Sequence, residues 1–171
     1  LNSLMFLVEK RDKRIKARGV ADGNKQRREA GYKKEDAASP TVSNEGVMIT
    51  SAIEAHEEQG IAIMDIPGAY LHAYTDEEVI MLLKGKLAEL MVLVDPKLYR
   101  NYVTYDSKGE AIMYVKMNKA LYGLLKSALL FYKKLVVDLE AYGFMINPYD
   151  PCVANTTING KQMTVTWHVD D

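Results

Sequence analysis

The run Met163-Thr164-Val165-Thr166-Trp167-His168-Val169-Asp170-Asp171 decides how the rest of the chain is read. It is rich in β-branched and aromatic residues, which favours a strand. It also delivers two adjacent carboxylates to the strand end. A third carboxylate, Asp65, closes a similar run, Ile61-Ala62-Ile63-Met64-Asp65. If the two strands lie side by side, the three acids converge. Such a set of hard oxygen ligands suits two Mg²⁺ ions and in-line phosphoryl transfer. Because the run stops on its acids, the domain is expected to continue beyond Asp171.

Working outward, Asn159-Gly160 joins strands expected at 152–158 and 161–169. Asn-Gly is the strongest short hairpin signal. Before them, Ala128, Phe131, Leu135, Leu139 and Tyr142 recur at helical spacing, so a helix is expected over 128–142, capped by Ser127 and stopped by Gly143. Tyr105-Asp106-Ser107-Lys108-Gly109 reads as a turn between strands at 101–105 and 111–117. A strand is expected at 77–83 and a short amphipathic helix at 86–93, ended by Asp95-Pro96. Ser43 or Asn44 can cap a helix running to about Gln59, with Val47, Ala52, Ile53 and His56 on its core face and Gly60 as its stop. The strand to Asp65 follows, and Pro67-Gly68 breaks it. At the start, short strands at 5–8 and 13–21 flank a charged turn. Residues 22–40 are polar and read as a mobile loop. Helices between hairpins make the class α+β, with helices backing one face of an antiparallel sheet.

At 171 residues one domain is the default. The net charge of −1 excludes a polyelectrolyte binder, but residues 10–34 hold 11 of the 22 Lys and Arg residues. That asymmetry points to phosphate contact, or else to a solvated arm. One cysteine, Cys152, excludes an internal disulfide and reads as a small core hydrophobe, which fits a reducing compartment. His56, His72 and His168 show no zinc spacing. No signal peptide and no apolar run long enough to span a membrane is present, so neither secretion nor membrane insertion is expected.

Five strings now stand in order: Lys16-Ala17-Arg18-Gly19-Val20-Ala21-Asp22-Gly23, Ser39-Pro40-Thr41-Val42, Met64-Asp65-Ile66-Pro67-Gly68-Ala69-Tyr70-Leu71, Lys119-Ala120-Leu121-Tyr122-Gly123-Leu124 and His168-Val169-Asp170-Asp171. Their order resembles copia-type retrotransposon reverse transcriptases over about residues 6–171. The resemblance implies a right-hand polymerase fold, with fingers at about 1–40 and 74–120 and palm at about 41–73 and 121–171. Thumb, ribonuclease H and the rest of the retrotransposon polyprotein would lie beyond. It implies DNA synthesis from deoxynucleoside triphosphates on a primed RNA or DNA template. The implied cofactor is two Mg²⁺ ions, with Mn²⁺ an alternative. The setting is intracellular, in a cytoplasmic particle or the nucleus.

On this resemblance, Asp65, Asp170 and Asp171 are the catalytic metal ligands, with Asp65 and Asp170 bridging and Asp171 auxiliary. Lys16 and Arg18 face the β- and γ-phosphates of the nucleotide, Arg bidentate and Lys as a point charge. Tyr70 lies under the sugar and excludes a 2′-hydroxyl by bulk. Tyr122 and Gly123 let the backbone approach the nucleotide or template base. The chain departs from the family at Leu125-Lys126-Ser127, where Lys-Gln-Ala is usual, and at His168, where Tyr is usual. Each of these residues has a plainer reading in packing or a solvated face. A truncated remnant that binds nucleic acid weakly, without chemistry, is the alternative for the whole. A nucleotidyl cyclase with a palm-type fold is a third reading, disfavoured by residues 119–124.

Overall fold

The computed structural model describes residues 1–24, 26, 31 and 37–169. A continuous apolar run, Leu4–Val8, and an arm that alternates apolar and basic residues, Ile15–Arg18, build its first element, a hairpin of β1 (Ser3–Glu9) and β2 (Ile15–Ala21), paired antiparallel from Ser3↔Ala21 to Glu9↔Ile15. The turn is closed by Lys10 N donating to Arg14 O at 2.8 Å and by Arg14 N donating to the Asp12 carboxylate.

Chain contacts divide the protein into two units interleaved in sequence: Leu1–Tyr32 with Tyr74–Leu125, and Lys33–Ala73 with Lys126–Asp171. In the first unit, β3 (Tyr74–Lys84), β4 (Thr104–Tyr105) and β5 (Ala111–Lys119) form an antiparallel sheet with β5 central. The start of β1 joins it, because Leu82 N donates to Leu1 O at 2.7 Å and Ser3 Oγ to Leu82 O at 2.9 Å. Helix α1 of this unit's crossover, Lys86–Val94, follows Gly85, whose φ of 56° turns the chain out of β3. The core gathers Ala21, Val79, Met81, Leu83, Ala88, Ala111, Met113 and Leu124. The strand expected at 101–105 shrinks to Thr104–Tyr105, because Arg100–Tyr102 forms a 3₁₀ turn instead.

A close backbone contact pins β2 to the loop after β5. Ala21 N donates to Tyr122 O at 2.9 Å. A Cβ on Gly123, whose φ is 92°, would lie 2.1 Å from Ala21 O, and one on Gly23 would lie 2.0 Å from Gly123 O. Neither backbone can yield without breaking the contact. Gly123→Ala is therefore expected to cost about 3 kcal/mol, from overpacking and from left-handed strain together. Denaturant melts measure it: Gly109→Ala, where open space surrounds the Cβ position, controls for positive φ alone.

In the second unit, helix α2 (Asn44–His56) starts at Ser43, whose Oγ accepts from Gly46 N at 2.9 Å. Helix α3 (Ser127–Ala141) runs to Gly143, whose φ is 85°. Strands β6 (Met145–Ile146), β7 (Val153–Ile158) and β8 (Lys161–Thr166) form an antiparallel sheet with β7 central. Both turn residues of β7–β8, Asn159 and Gly160, take positive φ (52° and 77°), the geometry that matches strand twist in a two-residue hairpin. Cys152, Ala154 and Trp167 are the buried centre of this unit, packed by Val42, Tyr132, Leu135, Val136, Leu139 and Val165.

Four expectations are corrected here. Residues 61–65 form no strand, and Ile63 is 95% exposed. That run is apolar on both faces, so it needs neighbours to pair and cover it, and none is found among the described residues. Helix α2 buries none of its residues, so Val47, Ala52, Ile53 and His56 are not a core face. Lys126, not Ser127, stands at the N-cap of α3, and Ser127 is buried as its first residue. Strand β8 ends at Thr166, three residues short of the expected end.

Candidate functional site

Lys16, Arg18, Tyr122 and Gly123 lie in the first unit. Asp65 and Tyr70 lie in the second. Asp170 and Asp171 lie outside the described residues, as do Arg27 and Arg28 of the basic stretch.

In the first unit, strand alternation sets the charges. Across the hairpin, Phe6 faces Arg18, Val8 faces Lys16 and Leu4 faces Val20. Directly paired residues share a face, so Lys16 and Arg18 project from one side of the sheet, together with Phe6 between Leu4 and Val8. Both cations are exposed. The Arg18 guanidinium stands 5.8 Å from the centroid of the Tyr122 ring. A ring on one face of a guanidinium leaves its in-plane N–H groups for an anion. Gly123 makes its close approach to Ala21 and Gly23, a reason for glycine that sequence reading did not supply.

Sequence reading also missed Gln26, placed in a stretch taken as a mobile loop. Its side chain is 7% exposed. Its Nε2 donates to Glu77 Oε1 at 3.1 Å, and its Oε1 accepts from Leu125 N at 3.1 Å. No local pattern marks such a residue, since its partners lie 51 and 99 positions away.

In the second unit, Asp65 is exposed, and among the described residues no donor or cation occupies its carboxylate. After it, Gly68 (φ 64°) turns the chain into a 3₁₀ turn, Ala69–His72, in which Ala69 is fully buried. The turn is held by Leu71 N donating to Gly68 O at 2.8 Å and Ala73 N to Tyr70 O at 3.1 Å. Tyr70 is half-buried, its ring 6.2 Å from that of Phe131 at an interplanar angle of 58°. Phe131 is a buried residue of α3, so the tyrosine rests on the helix. At the other end of the unit, Val169 has a φ of 63°. A β-branched residue there stores about 1–3 kcal/mol of strain, and it directly precedes Asp170. His168 is exposed.

Among the described residues of this unit, Asp150 is the acid with the most hydrogen bonds. Its Oδ2 accepts from Ser43 N (2.9 Å) and Ser43 Oγ (2.8 Å), and its Oδ1 accepts from Cys152 N (3.0 Å). The carboxylate thus joins the start of α2 to the start of β7. Burial raises its pKa, but the three hydrogen bonds outweigh that and hold it below the usual carboxylate range. Burial, with the Asp150 charge, pushes the Cys152 thiol up to about 11, so it is no nucleophile at neutral pH. A depressed carboxylate contributes stability that is full above its unfolded pKa of about 4 and is lost as pH falls through the folded value. Asp150→Asn is therefore expected to be less stable than wild type at pH 7, by about 2 kcal/mol. The gap should close below about pH 4, and thermal melts from pH 7 to 3 measure it. A constant gap across that range would show that the charge of Asp150 is immaterial.

Among the described residues no group of three or more His, Cys, Asp or Glu side chains could hold a metal ion. Two of the three expected ligands are not among those residues. The exposed, uncompensated carboxylate of Asp65 fits a hard cation as one ligand. No helix among the described residues is long and apolar enough to cross a membrane.

A family model described as reverse transcriptase (RNA-dependent DNA polymerase) matches residues 7–171. No curated relative and no solved structure matches the chain.

Proposed function

The chain belongs to the reverse transcriptase (RNA-dependent DNA polymerase) family, and from that premise we propose that it is the fingers and palm of a copia-type retrotransposon polymerase. Residues at about 1–40 and 74–120 are the fingers, and those at about 41–73 and 121–171 the palm. The observation that carries the reading is the shared face of Lys16 and Arg18, with the Arg18 guanidinium against Tyr122. It is a surface suited to a polyphosphate.

In this reading Arg18 grips the β- or γ-phosphate of a deoxynucleoside triphosphate through its in-plane N–H groups, and Lys16 adds a mobile positive charge. Tyr70 lies beneath the sugar. Asp65 and Asp170 would hold two Mg²⁺ or Mn²⁺ ions, with Asp171 as the auxiliary acid. When bound, the ions neutralise charge at the attacking and leaving oxygens of an in-line displacement. The protein otherwise positions its reactants, which is most of what nucleotidyl transfer asks of it. Template and primer, the remaining polyprotein and an intracellular site of action complete the proposal.

Primer extension on RNA and DNA templates by the full-length enzyme tests it. Incorporation should require Mg²⁺ or Mn²⁺. Template affinity should fall as salt rises, with a slope of about −0.7 per phosphate contacted on a single strand. Neutralising Arg27 and Arg28 should make that slope shallower by about 1.4, while neutralising Lys16 and Arg18 should chiefly raise the KM for nucleotide. Salt-independent binding, or no extension with either metal, would overturn the reading.

A further inference from the structure

A buried amide needs a partner for its NH2 group and one for its carbonyl, or it destabilises the fold that buries it. Gln26 meets that demand by reaching two separate pieces of the first unit. One is Glu77, inside the stretch where β3 and β5 lose register. Tyr74 pairs with Lys119 and Val79 with Met117, so five steps along β3 answer two along β5. A bulge of that kind re-aims the side chains it carries, and it turns Glu77 to the Gln26 Nε2. The other piece is Leu125, the end of the Leu121–Leu125 loop.

The same loop is already fixed at its other end. Tyr122 O accepts from Ala21 N, and Gly123 lies against Ala21 and Gly23. Leu124 anchors the loop's far half in the unit's core, and the Gln26 side chain adds a hydrogen bond to the backbone at Leu125. Held at both ends, the loop presents Tyr122 in one place beside Arg18. Among the described residues no hydrogen bond joins Gln26 to Arg18 or Tyr122, so it acts through the loop.

We propose that Gln26 is a positioning residue for the incoming nucleotide: it latches the Leu121–Leu125 loop so that the Tyr122 ring keeps the Arg18 guanidinium aligned for the triphosphate. The inference rests on the polymerase reading above and adds to it a residue from outside the set that touches nucleotide.

The test uses the full-length enzyme and three variants. Gln26→Leu removes both hydrogen bonds at similar volume. Gln26→Glu keeps the acceptor for Leu125 N but sets a second carboxylate against Glu77. The exchange Gln26→Glu with Glu77→Gln restores one donor and one acceptor. Both single variants are expected to raise the KM for deoxynucleotide about tenfold, with primer–template affinity unchanged. The exchanged pair should return KM to within about threefold of wild type. Amide hydrogen exchange at Leu125 should quicken in Gln26→Leu and recover in the exchanged pair. Unchanged exchange at Leu125 would show that the amide is not latched and would overturn the proposal. Faster exchange with an unchanged nucleotide KM would leave Gln26 a structural residue only, again overturning it while the polymerase reading stands. A wild-type enzyme that incorporates no deoxynucleotide sinks the polymerase reading itself, and the nucleotide role of Gln26 with it.

Discussion

Asp65→Asn in the full-length enzyme is expected to lower kcat for deoxynucleotide incorporation by about 10³-fold or more, while primer–template affinity stays within about threefold. Asn keeps the shape of the side chain and removes the charge that a hard cation requires. The carboxylate is exposed, and among the described residues it accepts no hydrogen bond and meets no cation. Its replacement should therefore leave the melting temperature within about 2 °C of wild type. That separation of rate from stability distinguishes a metal ligand from a residue that ends an extended segment. Single-turnover incorporation at saturating nucleotide, repeated across a Mg²⁺ titration, gives the rate. A variant within tenfold of wild-type kcat would remove Asp65 from the chemistry.

What could be read from the sequence divides by the distance between partners. The Asn159-Gly160 hairpin is specified by its own two residues, and both take the expected positive φ. The β1–β2 pairing joins two neighbouring runs across a short charged turn, and its register places Lys16 and Arg18 on one face. Ser43 as the cap of α2 is likewise local. The family, too, was legible, because its strings are short and stand in order.

The residues that reading missed depend on partners far along the chain. Ile61–Asp65 has strand composition, yet composition supplies no neighbour to pair with, and the segment is left outside any strand and exposed. The hydrophobic spacing of α2 suggested a buried face, but spacing does not state what covers it, and nothing does among the described residues. Gly123 stood out as a glycine, and the contact that requires it, with Ala21, is about a hundred residues away. Asp150 sits in a stretch that looks like an ordinary turn, Asn147-Pro148-Tyr149-Asp150-Pro151, and its partner Ser43 is 107 positions earlier. Gln26 was hidden by polar neighbours that make its surroundings look like loop. At Leu125, where the chain departs from the resemblance, the backbone N–H donates to the Gln26 side chain.

Replacing Tyr70 by Val or Ala in the full-length enzyme is expected to admit ribonucleotides. Tyr70 follows Asp65 across the Pro67-Gly68 break, and the 3₁₀ turn at Ala69–His72 fixes its backbone. On one side its ring rests against Phe131, which α3 buries at 3% exposure. A ring backed in that way cannot retreat from a 2′-hydroxyl above it without unpacking the helix. If the ring discriminates by such a clash, its removal should release the block at little cost to the deoxynucleotide, which lacks the obstructed hydroxyl. The kcat/KM ratio of ribonucleotide to deoxynucleotide should rise about 10²–10³-fold, roughly 3–4 kcal/mol of differential transition-state binding. Deoxynucleotide incorporation should stay within about tenfold of wild type. Tyr70→Phe keeps both the bulk and the contact with Phe131, so its sugar ratio should match wild type. Melting temperatures of the three variants separate lost packing from lost selectivity, since Val and Ala forfeit ring contact and Phe does not. An unchanged ratio in an active Tyr70→Ala enzyme would place Tyr70 in the packing of α3 alone and put the sugar gate elsewhere.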